Sequence, residues 1–282
     1  MKPCISQAST LSNPFEADVE TYAMAGWSAV EIWLTKLEAY LQSHPIAEAR
    51  SLLDGVGLKA VAAASQGGLL LSRDAERDAH RDLFRRRLDI LRELDVPILV
   101  VAADFVREVV PDDYGRAAEA LAEVAELAAG SGVRLALEFQ KGAAFCASLD
   151  TALALVAQAG AANLGVCLDL FHYYTGPSKF EDLAYLDLGN LAWVQACDLS
   201  GVPRELAGDS DRILPGEGDF QIDPILTHLA TIGYDGYVSL EMFNPQFWAI
   251  PAGHVADTGR RAMERLLGRL PAPRPEESRG QP

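Results

Sequence analysis

The chain has 282 residues, with 24 Lys and Arg against 40 Asp and Glu, a formal net charge of −16 at pH 7 and 49% hydrophobic residues. That composition is globular and long enough to build a core without disulfide staples. Its acidity argues against a general nucleic-acid binder, which needs a basic footprint, and against docking on an anionic membrane surface. No apolar run approaches the roughly 20 residues of a spanning helix. The start, MKPCISQAST, reads as a strand and not a signal peptide. Four scattered cysteines (Cys4, Cys146, Cys167, Cys197) without a CxxC pair read as a reduced, cytoplasmic protein.

In chain order, short runs rich in Val, Ile and Leu alternate with longer amphipathic stretches. Strands are expected at 3–8, 29–33, 58–63, 98–102, 134–138, 164–169, 192–195 and 236–241, each nearly continuous in apolar residues as a strand covered on both faces should be. Helices are expected at 77–94, 114–129, 149–158, 179–186, 223–232 and 253–267. Gly55–Gly57 and Gly130–Gly132 fall where a helix ends and a strand follows. Eight strand–helix units imply a parallel sheet, and eight in this length imply a single α/β (β/α)8 TIM barrel over 1–270. An open doubly wound sheet is the alternative, but no GxGxxG or GxxxxGK[ST] occurs. The stretch 271–282, PAPRPEESRGQP, is expected to be a disordered tail.

Barrel sites are built at the C-terminal ends of the strands, so polar residues there are the informative ones. Strand five, RLALEF, ends in Glu138; strand six, LGVCLDLFH, ends in Asp169 with His172 just beyond. Strand seven, LAWVQACD, ends in Gln195 with Asp198 three residues on; strand eight, YVSLEMFN, ends in Glu241. Adjacent strands lie ~4.8 Å apart, so these side chains can converge, and three converging carboxylates repel unless a divalent cation joins them. An all-oxygen set suits Mg²⁺, Mn²⁺ or Co²⁺ better than structural zinc. Taken singly, each acid is as readily a helix cap or a salt-bridge partner. Four in successive strands favour a metal site.

At these residues (LEF, LDLFH, VQACD, RILPGEGDF, SLEMFN) the chain resembles the xylose isomerase-like TIM-barrel superfamily, which includes ketose 3-epimerases, inosose isomerases and dehydratases, 3-dehydroshikimate dehydratases and family-2 AP endonucleases. The resemblance implies that Glu138, Asp169, Gln195 and Glu241 bind the metal, that Glu138 and Glu241 act as acid and base, and that His172 and Arg212 contact substrate. Gln195 stands where most members carry histidine, and is similar to one branch of the dehydroshikimate dehydratases. That branch has an arginine after strand three, whereas this chain has AAASQGGLLLS, in which Gln66 and the Gly67–Gly68 pair fit a neutral polyol better than a carboxylate. AP endonuclease activity is set aside, because His44, His80, His228 and His254 lie in or beside predicted helices.

Further candidates come from the loops. Glu31 and Trp33 close strand two, Lys36 follows, and Trp33, Lys36 and Gln66 are taken as substrate contacts, with Phe243, Asn244 and Trp248 as a far wall. Trp33 reads equally well as core and Lys36 as a solvated lysine. Asp198 is read either as orienting Gln195 or as pairing with an arginine such as Arg204, and Asp219 as a helix N-cap. The expected function is a divalent-metal-dependent isomerase or epimerase of a sugar or cyclitol ketone, working by proton abstraction α to the carbonyl. The alternatives are a metal-dependent dehydratase of the dehydroshikimate or inosose type, or a non-catalytic accessory barrel. Oligomeric state stays open, dimers and tetramers being common among such relatives.

Overall fold

Eight short strands, β1 (Lys2–Ser6), β2 (Ala29–Trp33), β3 (Lys59–Gln66), β4 (Ile98–Ala102), β5 (Arg134–Glu138), β6 (Leu164–Asp169), β7 (Leu191–Ala196) and β8 (Tyr237–Leu240), pair in parallel with their neighbours in sequence, and β8 closes on β1. This computed structural model describes residues 1–105 and 108–269. The expected tail at 271–282 lies outside the described residues. The (β/α)8 barrel read from the alternating pattern is the observed fold.

The helices are α1 (Phe15–Met24), α2 (Leu34–Tyr40), α3 (Ile46–Val56), α4 (Asp74–Glu93), α5 (Asp112–Ala129), α6 (Leu149–Ala159), α7 (Leu170–Thr175), α8 (Ile222–Thr231), α9 (Pro245–Trp248) and α10 (Ala252–Leu267). Most boundaries match the sequence pattern to within a few residues. Three differences have local causes. The first strand stops at Ser6 because Gln7–Thr10 wind into a 3-10 turn capped by the Ser6 hydroxyl. The expected helix at 179–186 is a 3-10 segment, Phe180–Tyr185, while a full helical turn, α7, begins directly after Asp169. β3 runs on to Gln66 with a register irregularity between Ala63 and Gln66.

The core has two compartments. Apolar side chains between sheet and helices form the larger one. A smaller one fills the barrel interior with Cys4, Val61, Val100, Ala136, Cys167 and the large Trp193, so the barrel is plugged below its mouth and is not a pore. Gly57 ends α3 in the left-handed conformation (φ +71°) that a helix C-cap before a strand requires. Among the described residues no helix is long and apolar enough to cross a membrane.

Candidate active site

β5 and β6 end in Glu138 and Asp169, Gln195 is the next-to-last residue of β7 and Glu241 directly follows β8, so each strand delivers a polar group to the same end of the barrel. The register aligns Glu138 with Cys167 and Asp169 with Gln195 across adjacent strands, and Gln195 sits beside β8 opposite Ser239. Glu138, Asp169, Gln195 and Glu241 are all buried. Above them lies a cavity of about 190 Å³ whose lining includes Glu138, His172, Arg212, Glu241, Trp33 and Phe243. That is below the roughly 300–1,000 Å³ of sites for drug-sized ligands, and suits one small polar ring.

Arg212 is the centre of the charge network. Its Nη1 donates to Asp169 Oδ2 at 2.8 Å and to Glu241 Oε2 at 3.3 Å, and its Nη2 donates to Asp209 Oδ1 at 2.9 Å. His172 Nε2 lies 3.4 Å from Arg212 Nη2 and 4.0 Å from Asp169 Oδ2. The guanidinium stacks over Phe171 at 4.5 Å and lies 5.8 Å from the Phe243 ring. Asp169 also caps α7, its Oδ1 accepting from the backbone N–H groups of Phe171 and His172. A second network lies at the floor: Gln195 Nε2 donates to Glu31 Oε1 and to Glu241 Oε1, both at 2.9 Å, while Gln195 Oε1 accepts from the Cys167 thiol at 3.0 Å.

Burial shapes the ionisation of these groups. Burial, with Asp169 adding like-charge repulsion, pushes the Glu138 carboxyl well above the carboxylate range. Burial and nearby Glu31 do the same to Glu241. Burial raises Glu31 to about 7, against the lowering influence of Ser239, Trp193 and Gln195 around it. Asp169 goes the other way: burial opposes its ionisation, but Arg212 and His172 outweigh it and hold the carboxyl below the usual range. Burial lowers His172 towards the neutral imidazole. Among the described residues lining the cavity, Arg212 is the one permanent cation facing several carboxyl groups.

The donor set fits a divalent cation. Glu138, Asp169 and His172 each offer one ligand atom, these atoms lie within 4.8 Å of one another, and all three residues are buried. Glu241 stands outside this group of three and shares the Arg212 Nη1 donor with Asp169. His172, expected to touch substrate, thus stands among the potential ligands as well.

Two expected substrate contacts are corrected. Lys36 does not line the cavity: its buried ammonium pairs with Asp18 and donates to the carbonyls of Gln7 and Thr10 at 3.0 and 2.7 Å. Gln66 also misses it. The irregularity at the end of β3 presents Ala64 and Ser65 to the cavity, and the Gln66 side chain bonds the Gly67 carbonyl and Arg87 of α4. Trp33 does line the cavity, edge-on to Phe243 at 5.1 Å between ring centres. Trp248 continues that wall, 6.4 Å from Phe243.

Asp198 touches neither Gln195 nor Arg204. Its carboxylate accepts from the backbone N–H groups of Leu199, Gly216 and Phe220, each at 2.9 Å, and so staples the PGEG turn to the end of β7. The turn packs so closely that a Cβ at Gly218 would lie 2.3 Å from Asp198 Oδ1. Asp219 is not the cap of α8, since Gln221 holds that position without a side-chain bond. Asp198→Ala is expected to strand the N–H groups of buried Leu199 and Phe220, free that of exposed Gly216 to water, and destabilise the fold by about 2 kcal/mol or more, read by urea unfolding.

Three residues of the site were not singled out as site residues by the sequence reading. Asp209 pairs with Arg212 and its only signal is the i,i+3 spacing. Gln140 donates to Glu138 from two residues away. Glu31 is a weaker candidate at the end of strand two to which the sequence assigns no role, although a charged residue inside the apolar run AVEIW is itself a signal.

The comparisons with known proteins point to one family. An inosose isomerase of Halalkalibacterium halodurans is 28% identical over 270 residues, covering 92% of this chain and 94% of that protein. A 3-dehydroshikimate dehydratase of Pseudomonas aeruginosa is 27% identical over 256 residues, which are 90% of this chain but only 40% of that protein. The solved IOLI protein, described with a bound zinc atom, has 23% identity and a TM-score of 0.91, covering 96% of this chain and 100% of that one, a likeness of fold. The inosose isomerases match over nearly their own whole length, and the dehydratase over part of its length, so the chain is an enzyme. The sequence model described as the xylose isomerase-like TIM barrel matches residues 19–266, and the chain belongs to that family.

Proposed function

We propose that the enzyme is a divalent-metal-dependent isomerase that removes the proton α to the carbonyl of a cyclitol or sugar ketone. The observation that carries this reading is the buried cluster of Glu138, Asp169 and His172, whose ligand atoms lie within 4.8 Å of one another, with Glu241 sharing Arg212 with Asp169 beside them. Glu138, Asp169 and His172, with Glu241 beside them, are the residues that would hold the cation; Gln195, expected as a ligand, instead has its oxygen on the Cys167 thiol and its nitrogen on Glu241. When bound, the cation polarises the substrate's carbonyl and hydroxyl oxygens and stabilises the negative charge that develops on them.

The chain's own residues supply the rest. One of the two glutamates, Glu241 or Glu138, takes the α-proton on a carboxylate oxygen, and the other returns a proton. Return to the same carbon from the opposite face gives epimerisation; return to the neighbouring carbon gives isomerisation. Arg212 Nη1 and Nη2, already aimed into the cavity, hold the oxygen that becomes negative. His172 Nε2 beside it offers a hydrogen bond to a hydroxyl. Trp33 and Phe243 give an apolar wall for the C–H face of a ring, which keeps the reacting carbon against the glutamates. Four free, buried cysteines suit a reducing compartment, so we place the protein in the cytoplasm.

A dehydratase is the second reading, favoured by Gln195 and by the dehydratase relative. It would use the same proton abstraction and then expel a β-hydroxyl. Against it, no second cation joins Arg212 in the described lining to hold a substrate carboxylate. The test is NMR in D₂O with Mn²⁺ or Mg²⁺ over free ketoses, inososes and 3-dehydroshikimate. Metal-dependent deuterium uptake at one α-carbon of an inosose or ketose is expected. An aromatic absorbance from 3-dehydroshikimate would instead establish the dehydratase, and silence across the panel from metal-loaded protein would overturn both.

A further inference from the structure

The geometry points to Glu31 as a positioning residue for Glu241, acting through the Gln195 amide. Glu31 sits on β2, across the barrel from β7, and is fully buried. It does not line the cavity, so it has no substrate to touch. Its Oε1 instead accepts from Gln195 Nε2 at 2.9 Å, and the same nitrogen donates to Glu241 Oε1 at 2.9 Å. Gln195 Oε1 accepts from the Cys167 thiol. Every hydrogen-bonding group of the amide is therefore engaged, and its orientation is fixed: a half-turn of the amide would set its oxygen against two carboxylates.

The clamp has a direction. Glu241 is held through Oε1, which leaves Oε2 facing Arg212 at 3.3 Å and the cavity. Glu31 is in turn seated on the polar groups beneath it. Its Oε2, Ser239 Oγ and Trp193 Nε1 are buried together without other hydrogen-bond partners. A carboxylate placed inside an apolar strand, where it costs free energy, and aimed at the amide that holds Glu241 has a role beyond filling space.

The test compares Glu31→Leu, which removes the acceptor, Glu31→Asp, which withdraws it by one methylene, and Glu31→Gln, which keeps an oxygen for Gln195. Crystal structures of the three variants and calorimetric Mn²⁺ affinities are the readouts that do not depend on turnover. Leu and Asp are expected to free the Gln195 amide, shift Glu241, and weaken Mn²⁺ binding and α-proton exchange by about 10–100-fold, with Gln within a few-fold of the parent. On a Gln195→Leu background, Glu31→Leu should add little. Should Leu fail to fold, Asp and Gln decide the matter. Unmoved Gln195 and Glu241 in the Leu or Asp variant would overturn the inference, as would costs that add in full on the Gln195→Leu background. The kinetic arm rests on the proposed proton-transfer function. If the parent protein neither binds Mn²⁺ nor exchanges protons, that function fails, and the side-chain positions in the variants still decide the role of Glu31.

Discussion

Glu241→Gln is expected to slow metal-dependent exchange of the substrate's α-proton with D₂O by about 10²–10⁴-fold, the range that a positioned acid or base supplies. The substitution keeps the shape of the side chain and an oxygen that can face Arg212, but removes the group able to accept a proton. It also removes one partner of the Arg212 pair and one acceptor of Gln195, so a thermal melt of the variant is read beside its rate. Mn²⁺ content must be measured alongside the rate, because Glu241 is also a candidate ligand. Exchange that collapses while metal is retained assigns the proton transfer to Glu241. Asp169→Asn is the contrasting case: with Arg212 holding it ionised, Asp169 is suited to bind and not to shuttle protons, and its loss should act mainly through metal affinity. A Glu241→Gln enzyme that exchanges at the parental rate would sink the acid–base assignment.

The second large effect is on stability. The metal-free protein should lose stability as the pH rises from 5 to 8, opposite to the usual behaviour of a protein whose carboxylates are paired. Glu31 is raised in the fold from an ordinary value of 4.5 to about 7. The folded state therefore holds a proton that the unfolded state has released between those values, and stability falls across that window, by about 3 kcal/mol for this one group. Glu138 and Glu241 are raised in the same direction, and buried Asp18, at about 6, contributes at the lower end. Mn²⁺ at 100 times its Kd should return about 2.7 kcal/mol at pH 8, where the carboxylates are ionised, and less at pH 5. Calorimetric scans at pH 5, 6.5 and 8, with and without Mn²⁺, measure both. Glu31→Gln should flatten the metal-free slope. A melting temperature that is level or rises with pH, and is indifferent to Mn²⁺, would refute the buried cluster as a cation site.

The fold was legible because a strand covered on both faces has to be apolar throughout, so its last polar residue stands out. Glu138, Asp169 and Glu241 are visible in the sequence for that reason alone, and the structure brings them to one point. Residues beyond the strand ends were harder. Lys36 is claimed by Asp18, 18 positions earlier, and nothing in the local pattern shows that pairing. Gln66 is turned away by an irregularity in β3 that shifts its facing, and it meets Arg87 on the next helix. Asp198 has the spacing of a residue that supports Gln195, yet the backbone of a turn folds back over it from 18 to 22 positions later. In each case the partner is fixed by tertiary packing and not by sequence neighbourhood.

The Asp198 staple has a consequence for how such an enzyme diversifies. The segment carrying Arg212 is tied to the end of β7 through Asp198, and its backbone is tied again by Asn244 Nδ2 to the Arg212 carbonyl at 2.9 Å. That half of the rim is bonded to the strands that carry the acids. The opposite half contributes Trp33, Ser65 and Phe105 from the ends of β2, β3 and β4 to the lining of the cavity. Inheritance is thereby split between two sides of one opening. Insertions and substitutions after β2, β3 and β4 can reshape which molecule is admitted, while the arc from β5 to β8 carries the reaction forward unchanged.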